Sequence, residues 1–150
     1  MKTGYDRRGN VSTRLVRAEA QSVAILRREL ARDLHTAGVA QRVVDDALLV
    51  LSELAGNSIR HARALPAEQL AVAWEHREGG ITIRVTDGGG PQHPAVHQVT
   101  AEDTNGRGLS IVAALTDFWG VSYGPDTVTV WAHLPMRRVT ATSDQIMVLV

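Results

Sequence analysis

The sequence predicts an α+β domain, a two-layer α/β sandwich whose mixed, mostly antiparallel sheet carries its helices on one face. Three observations lead there. Two helical periodicities come early in the chain, strands joined as hairpins follow, and no regular β-α-β alternation links them. The missing alternation argues against a doubly wound fold.

Taken in order, the elements are as follows. From Glu19 to about Thr36, apolar residues recur at Val23, Ile25, Leu26, Leu30 and Leu34 with Arg and Glu between them, until Gly38 breaks the pattern. The strongest helix runs from Val43 to Ala62. Val43, Val44, Ala47, Leu48, Val50, Leu51, Leu54, Ala55 and Ile59 nearly encircle its middle, which predicts burial on most sides. Pro66 stands beyond its end as a stop signal. Leu70, Val72 and Trp74 alternate in one strand and Ile81, Ile83 and Val85 in the next, with Glu78-Gly79-Gly80 turning the chain between them. The stretch from Gly88 to Gly106 is rich in Gly, Pro and His and has no period, so it reads as a loop. A short helix at Leu109–Thr116, a strand at Phe118–Tyr123, a Gly124-Pro125-Asp126 turn and a last strand at Val128–Leu134 complete the pattern. A further strand is expected at Arg14–Val16.

With 150 residues, 44% of them hydrophobic, the chain has material for one ordinary core. The expected domain spans residues 14–135, between a flexible N-terminus at 1–13 and a C-terminal tail at 136–150. Sixteen basic and sixteen acidic residues cancel, so charge gives no reason to expect nucleic acid or an anionic membrane as partner. Without cysteine, neither disulfides nor thiolate metal sites hold the fold. No apolar run has signal-peptide or membrane-spanning length, and the expectation is a soluble cytoplasmic protein.

Three features carry candidate chemistry. Glu53, Asn57 and His61 are spaced by four and share one stripe of the second helix. They are either that helix's solvent-facing edge or a ligand site presenting a carboxylate, an amide oxygen and an imidazole in a row. The amide oxygen suits Mg²⁺, a hard cation that keeps several of its waters. Along Ile81–Asp87 the odd positions are Ile, Ile, Val and Asp, so period two turns Asp87 toward the core at the strand's end. There it either caps the following glycine turn or accepts the exocyclic amine of adenine, the glycines after it leaving room for a flat base. Gly106-Arg107-Gly108-Leu109 precedes an apolar helix. That turn either caps the helix or receives phosphate on free N–H groups, with Arg107 adding charge. It is neither a Walker loop, lacking Gly-Lys-Ser/Thr, nor a dinucleotide fingerprint fed directly by a strand.

Other candidates are poorer. His93 and His97 have Pro94 between them, which makes zinc improbable, and no HExxH, GxSxG or cysteine nucleophile occurs. The three tryptophans, 74, 119 and 131, read as core or edge packing.

In series, ELAGNSIRHA at 53–62, VTDGGG at 85–90, GRGLSIV at 106–112 and TVWAHLP at 129–135 resemble the histidine-kinase-like ATPase (GHKL, Bergerat-fold) superfamily. Within it they look most like the short anti-sigma factor and serine/threonine kinase family common in actinobacteria. The resemblance covers about residues 15 to 135. It implies that Asn57 coordinates Mg²⁺ between the phosphates of ATP, and that Glu53 acts as general base or orients the attacking group. It also implies that Asp87 binds adenine, that Gly89 lies under the base, and that Gly106, Arg107, Gly108 and Leu109 form the phosphate turn. Thr129 matches a strand threonine that supports the adenine acid. The implied partners are a STAS-domain anti-anti-sigma factor and a sigma factor. Since such proteins often pair, a homodimer is also implied.

Three departures qualify the match. Pro91 stands where the first glycine box normally ends in Gly, the loop from 91 to 105 is short for a lid, and no phosphoacceptor-histidine helix precedes the domain. The first two bear on ATP affinity and lid closure, and the third argues against a sensor kinase. There is also no room for the extra domains of gyrase, chaperone or mismatch-repair ATPases. The activity implied is Mg-ATP-dependent phosphorylation of a partner's serine or threonine in transcription regulation. The alternative is an ATP-binding interaction module without phosphotransfer.

Overall fold

A computed structural model describes residues 4–6, 11–90, 107–136, 138–142 and 145–149. Strands β1 (Gly4–Asp6) and β2 (Val11–Arg17) lead into helices α1 (Ala20–Thr36) and α2 (Gln41–His61). Strands β3 (Gln69–Arg77) and β4 (Gly80–Asp87) follow, then helix α3 (Arg107–Leu115) and strands β5 (Phe118–Tyr123) and β6 (Val128–Pro135). A final pair, β7 (Arg138–Thr142) and β8 (Gln145–Leu149), forms its own two-stranded ladder.

The main sheet has six strands in the order β1-β2-β3-β4-β6-β5, and each described pairing is antiparallel. The expected α+β architecture is therefore the observed one. Two strand pairings at the ends add to the elements expected from the sequence. β2 starts at Val11, inside the stretch read as a flexible N-terminus, and β1 pairs with it. The stretch read as a tail contains the β7–β8 ladder. Short strands outside an amphipathic pattern leave little periodic signal to read.

The three helices pack on one face of the sheet and supply most of one core. Alternation works as expected: Leu70, Val72 and Trp74 of β3 and Ile81, Ile83 and Val85 of β4 are all buried, facing Leu26, Leu30 and Leu34 of α1 and the buried stripe of α2. Each such side chain contributes about 1.5–3 kcal/mol by leaving water. α2 is less enclosed than its sequence predicts. Leu49 is 40% exposed, as is Ile25 of α1 at 39%, so both helices keep a wet face. The apolar run around α2 is wider than the face it buries.

Polar ties lock the layers. Arg27 of α1 donates from Nη1 to the Leu48 carbonyl at 3.0 Å and to Ser52 Oγ at 2.5 Å, joining α1 to α2. Asp33 of α1 accepts from Ser12 Oγ and from Trp74 Nε1, both at 2.9 Å, joining α1 to β2 and β3. Arg14 pairs with Glu29 and lies 5.1 Å over the Trp74 ring. The tryptophans behave as expected: Trp74 is core, while Trp119 and Trp131 are half-buried at the far edge of the sheet. Gly120 is required there because a Cβ would sit 2.8 Å from the Trp131 ring, which crosses the backbone of β5.

Candidate functional site

The site grows from the meeting of α2 and β4. β4 ends in Asp87, and the parity that buries Ile81, Ile83 and Val85 buries Asp87 too, at 4% exposure. A carboxylate taken that far from water needs donors. The Gly89 N–H donates to Asp87 Oδ1 at 2.8 Å, and Ser58 is buried on α2. Burial raises the Asp87 pKa above its ordinary 3.8, and the Ser58 and Gly89 hydrogen bonds oppose that rise. The capping reading of Asp87 holds: one oxygen caps the glycine turn, on a carboxylate that faces inward.

The glycines after Asp87 have distinct duties. The Gly88 N–H donates to the Arg63 carbonyl and the Arg63 N–H to the Gly89 carbonyl, both at 2.7 Å, which ties this turn to the chain leaving α2. A Cβ on Gly88 would lie 2.6 Å from the Ala64 carbonyl oxygen, so no side chain fits. Gly89 has φ +79°, a left-handed backbone that glycine adopts without strain. Bare backbone therefore flanks the buried acid.

On α2, Glu53 and Asn57 are half-buried and His61 is exposed. The stripe is therefore graded, its first two members half-covered and its last in water. Asn57 Oδ1 accepts a hydrogen bond from Arg60 Nη2 at 2.9 Å. An incoming cation would reach that oxygen once the exposed Arg60 side chain turns away. Among the described residues no cluster of three or more His, Asp or Glu could hold a metal ion unaided. A cation here would have to complete its shell with ligand oxygens and water.

The remaining expectations divide. Arg107 and Gly108 form the first turn of α3, where backbone N–H groups lack intrahelical partners. Leu109 is 6% exposed, so its side chain belongs to the core with Val112. Gly106, Pro91, His93, His97 and the expected lid lie outside the described residues. Thr129 requires a correction: its Oγ1 shares a hydrogen bond with Thr86 Oγ1 at 2.7 Å. Thr86 and Thr129 are cross-strand partners on the sheet face opposite Asp87, so Thr129 cannot support that acid directly. Val128 is the cross-strand partner of Asp87.

Ser58 was not among the residues the sequence suggested. Its signal was present: it lies three, four and seven residues after Ala55, Leu54 and Leu51, on the buried stripe of α2, and is 7% exposed. A hydroxyl in an apolar stripe asks for a partner. A shallow groove of about 400 Å³ lined by Thr82, Arg84, Phe118, Ser122, Trp131 and His133 lies on the bare sheet face, away from Asp87. It takes no part in this site.

Chemically, the arrangement offers a buried carboxylate able to accept an N–H from a flat ligand over side-chain-free backbone. α2 carries the oxygens of Glu53 and Asn57, and the first turn of α3 carries backbone N–H groups without intrahelical partners. Among solved structures, the RsbU and RsbW domains of Rv1364c from Mycobacterium tuberculosis superpose with a TM-score of 0.64 at 18% sequence identity. The match covers 83% of this chain and 32% of that one, so the chain spans about a third of the length of that neighbour. No curated protein matches. The family model described as "Histidine kinase-like ATPase domain" matches residues 16–134, a span that holds every element from β3 to β5 and both walls of the site. The chain belongs to the histidine kinase-like ATPase domain family.

Proposed function

We propose that the chain binds Mg·ATP and phosphorylates a serine or threonine of a STAS-domain anti-anti-sigma partner, regulating transcription by partner switching with a sigma factor. The observation that carries the nucleotide reading is Asp87, a buried carboxylate capped by the Gly89 N–H with glycine backbone on its flank. Its chemistry fits the exocyclic amine of adenine. Asn57 fits Mg²⁺ as a single amide-oxygen ligand, with phosphates and water making up the rest. The first turn of α3, at Arg107 and Gly108, fits phosphate. The RsbW domain named in the structural neighbour supports the anti-sigma type.

In this reading Mg²⁺ neutralises phosphate charge and aligns it for in-line transfer. The protein does the rest by position. Asp87 anchors the base, the α3 N-terminus receives the phosphate tail, and Glu53 orients the partner's hydroxyl and takes its proton. Glu53 sits one turn before Asn57 on α2, so the same rigid helix sets metal and base. Glu53→Ala is expected to lower transfer of labelled phosphate to a STAS-domain partner by about 10²-fold or more while ATP affinity holds. Transfer at the wild-type rate would remove Glu53 from this role.

A second reading is an ATP-binding interaction module without phosphotransfer. The hydrogen bond from Arg60 to Asn57 favours it, because the metal-binding oxygen is already engaged by a cation. ATP bound without turnover, with or without a partner, would select that reading.

A further inference from the structure

The helices cover one face of the main sheet, and the opposite face carries a groove. An antiparallel sheet with one wet face ordinarily turns apolar side chains inward and polar ones outward. The register lays the outward side chains of β4, β6 and β5 in three rows. Thr86, Thr129 and Ser122 make a row of hydroxyls, as a wet face should. The next row is Arg84, Trp131 and Gly120, and the last is Thr82, His133 and Phe118. These two rows break the rule with an indole and a phenyl ring, and apart from Ser122 they supply the whole lining of the groove of about 400 Å³. Phe118 is 61% exposed, the most of any exposed large hydrophobic side chain among the described residues. Gly120 brings no side chain to its row, and the Trp131 ring takes the space a Cβ would fill. The indole therefore spreads over β5 as a flat apolar surface.

The charge of this groove is one-sided. No carboxylate lines it. Arg84, whose side chain is 41% exposed, pairs with Glu75 at 3.2 Å, but Arg77 takes the same carboxylate at 3.6 Å. One carboxylate between two guanidinium groups leaves one positive charge in excess. His133 has its own acid, Asp117, at 3.5 Å. We propose that the groove is a docking site for an acidic segment of a partner protein, with a carboxylate on Arg84 and a neighbouring aromatic or aliphatic side chain laid on Trp131 and Phe118. Tryptophan and arginine are among the side chains that carry most binding energy at protein interfaces. A protein segment fits better than a small molecule because the groove is shallow and covers one side of its occupant, whereas small-ligand sites enclose about 70–90% of theirs. The Arg84 contact is partly solvated, so salt weakens it. Asp87 faces the helices on the other side of the sheet, so this partner and a nucleotide bind together without competing.

The test selects a library of short random peptides, displayed on phage, against the full chain in excess Mg·ATP. The peptides it enriches are expected to carry Asp or Glu beside an aromatic or aliphatic residue. The strongest of them, synthesised with a fluorescent label, is then titrated by anisotropy against the wild type, Arg84→Glu, Arg84→Gln and Phe118→Ser. Both positions lie outside the core, and thermal unfolding checks that each variant is folded. Each variant is expected to weaken the peptide by about tenfold or more, the size of one hydrogen bond to a charged group, with Arg84→Glu the weakest. Affinity is expected to fall with added salt and to stay the same with or without Mg·ATP. Enriched peptides without acids, binding to Arg84→Glu and Phe118→Ser within about twofold of wild type, or displacement by Mg·ATP would each overturn the proposal. Sedimentation velocity tests the other occupant: a wild-type dimer that Phe118→Ser turns into a monomer would give the groove to a second copy of this chain and overturn it as well.

Discussion

Replacing Asp87 by Asn separates what the acid does for the fold from what it does for the ligand. The two side chains have nearly the same shape, and an Asn oxygen can still accept the Gly89 N–H now held at 2.8 Å. What changes is charge and donor pattern. Burial raises the Asp87 pKa in the folded chain above 3.8, so the folded state holds this proton more tightly than the unfolded state. Its contribution to stability is therefore complete below the unfolded value and is lost as pH rises through the raised folded value. Asp87→Asn has no such loss. At neutral pH its nucleotide-free stability is expected to equal or exceed that of the wild type by up to about 1 kcal/mol, a typical net hydrogen-bond energy. Ligand binding should move the other way. An amide NH₂ in place of a carboxylate oxygen meets the adenine amine donor to donor, and the loss of a charge-assisted hydrogen bond is worth about 1.5–3 kcal/mol, roughly 10- to 100-fold in affinity. Urea unfolding at several pH values and calorimetric titration with Mg·ATP read the two effects separately. ATP affinity within twofold of wild type would refute the assignment of Asp87 to the base. A large loss of nucleotide-free stability would show that the buried charge serves the fold.

Two further outcomes follow from the geometry. Gly88→Ala puts a Cβ about where the Ala64 carbonyl oxygen stands, at 2.6 Å. It should destabilise the chain by about 1–3 kcal/mol in chemical denaturation, the usual range for overpacking, and an unchanged midpoint would show that the turn yields. Arg60→Ala frees the Asn57 oxygen, should leave stability within about 0.5 kcal/mol because Arg60 is exposed, and should raise Mg·ATP affinity by roughly two- to fivefold; a fall would place Arg60 on the nucleotide instead.

How much of this was readable beforehand depends on which physical signal each residue leaves. Period two needs only one strand, so the inward turn of Asp87 could be read from Ile81, Ile83 and Val85 alone. The stripe of Glu53, Asn57 and His61 needs only helical spacing, and α2 was bounded to within two residues by its periodicity and by Pro66. Thr129 needed more. Its face depends on the register that pairs it with Thr86, and register between strands separated by more than forty residues is a tertiary fact. Ser58 fell between these cases: its position on the buried stripe was legible, but a small hydroxyl reads as neutral until its partner across the interface is known. Leu49, 40% exposed, marks the side of α2 that stays wet although the run around it is rich in apolar residues. The strands at the ends left no sequence signal because β1, β7 and β8 are three to five residues long, too short for a period to declare itself. No described helix is long and apolar enough to cross a membrane, in keeping with the absence of any such run in the sequence.

The most direct measurement is a crystal structure of the full chain with a non-hydrolysable ATP analogue and Mg²⁺. The expected result places the adenine amine within about 3 Å of an Asp87 carboxylate oxygen, an ordinary hydrogen-bond distance, and the metal on Asn57 Oδ1 with Arg60 turned away. Nucleotide bound elsewhere, or the space beside Asp87 and the glycine turn closed by packed side chains, would contradict it.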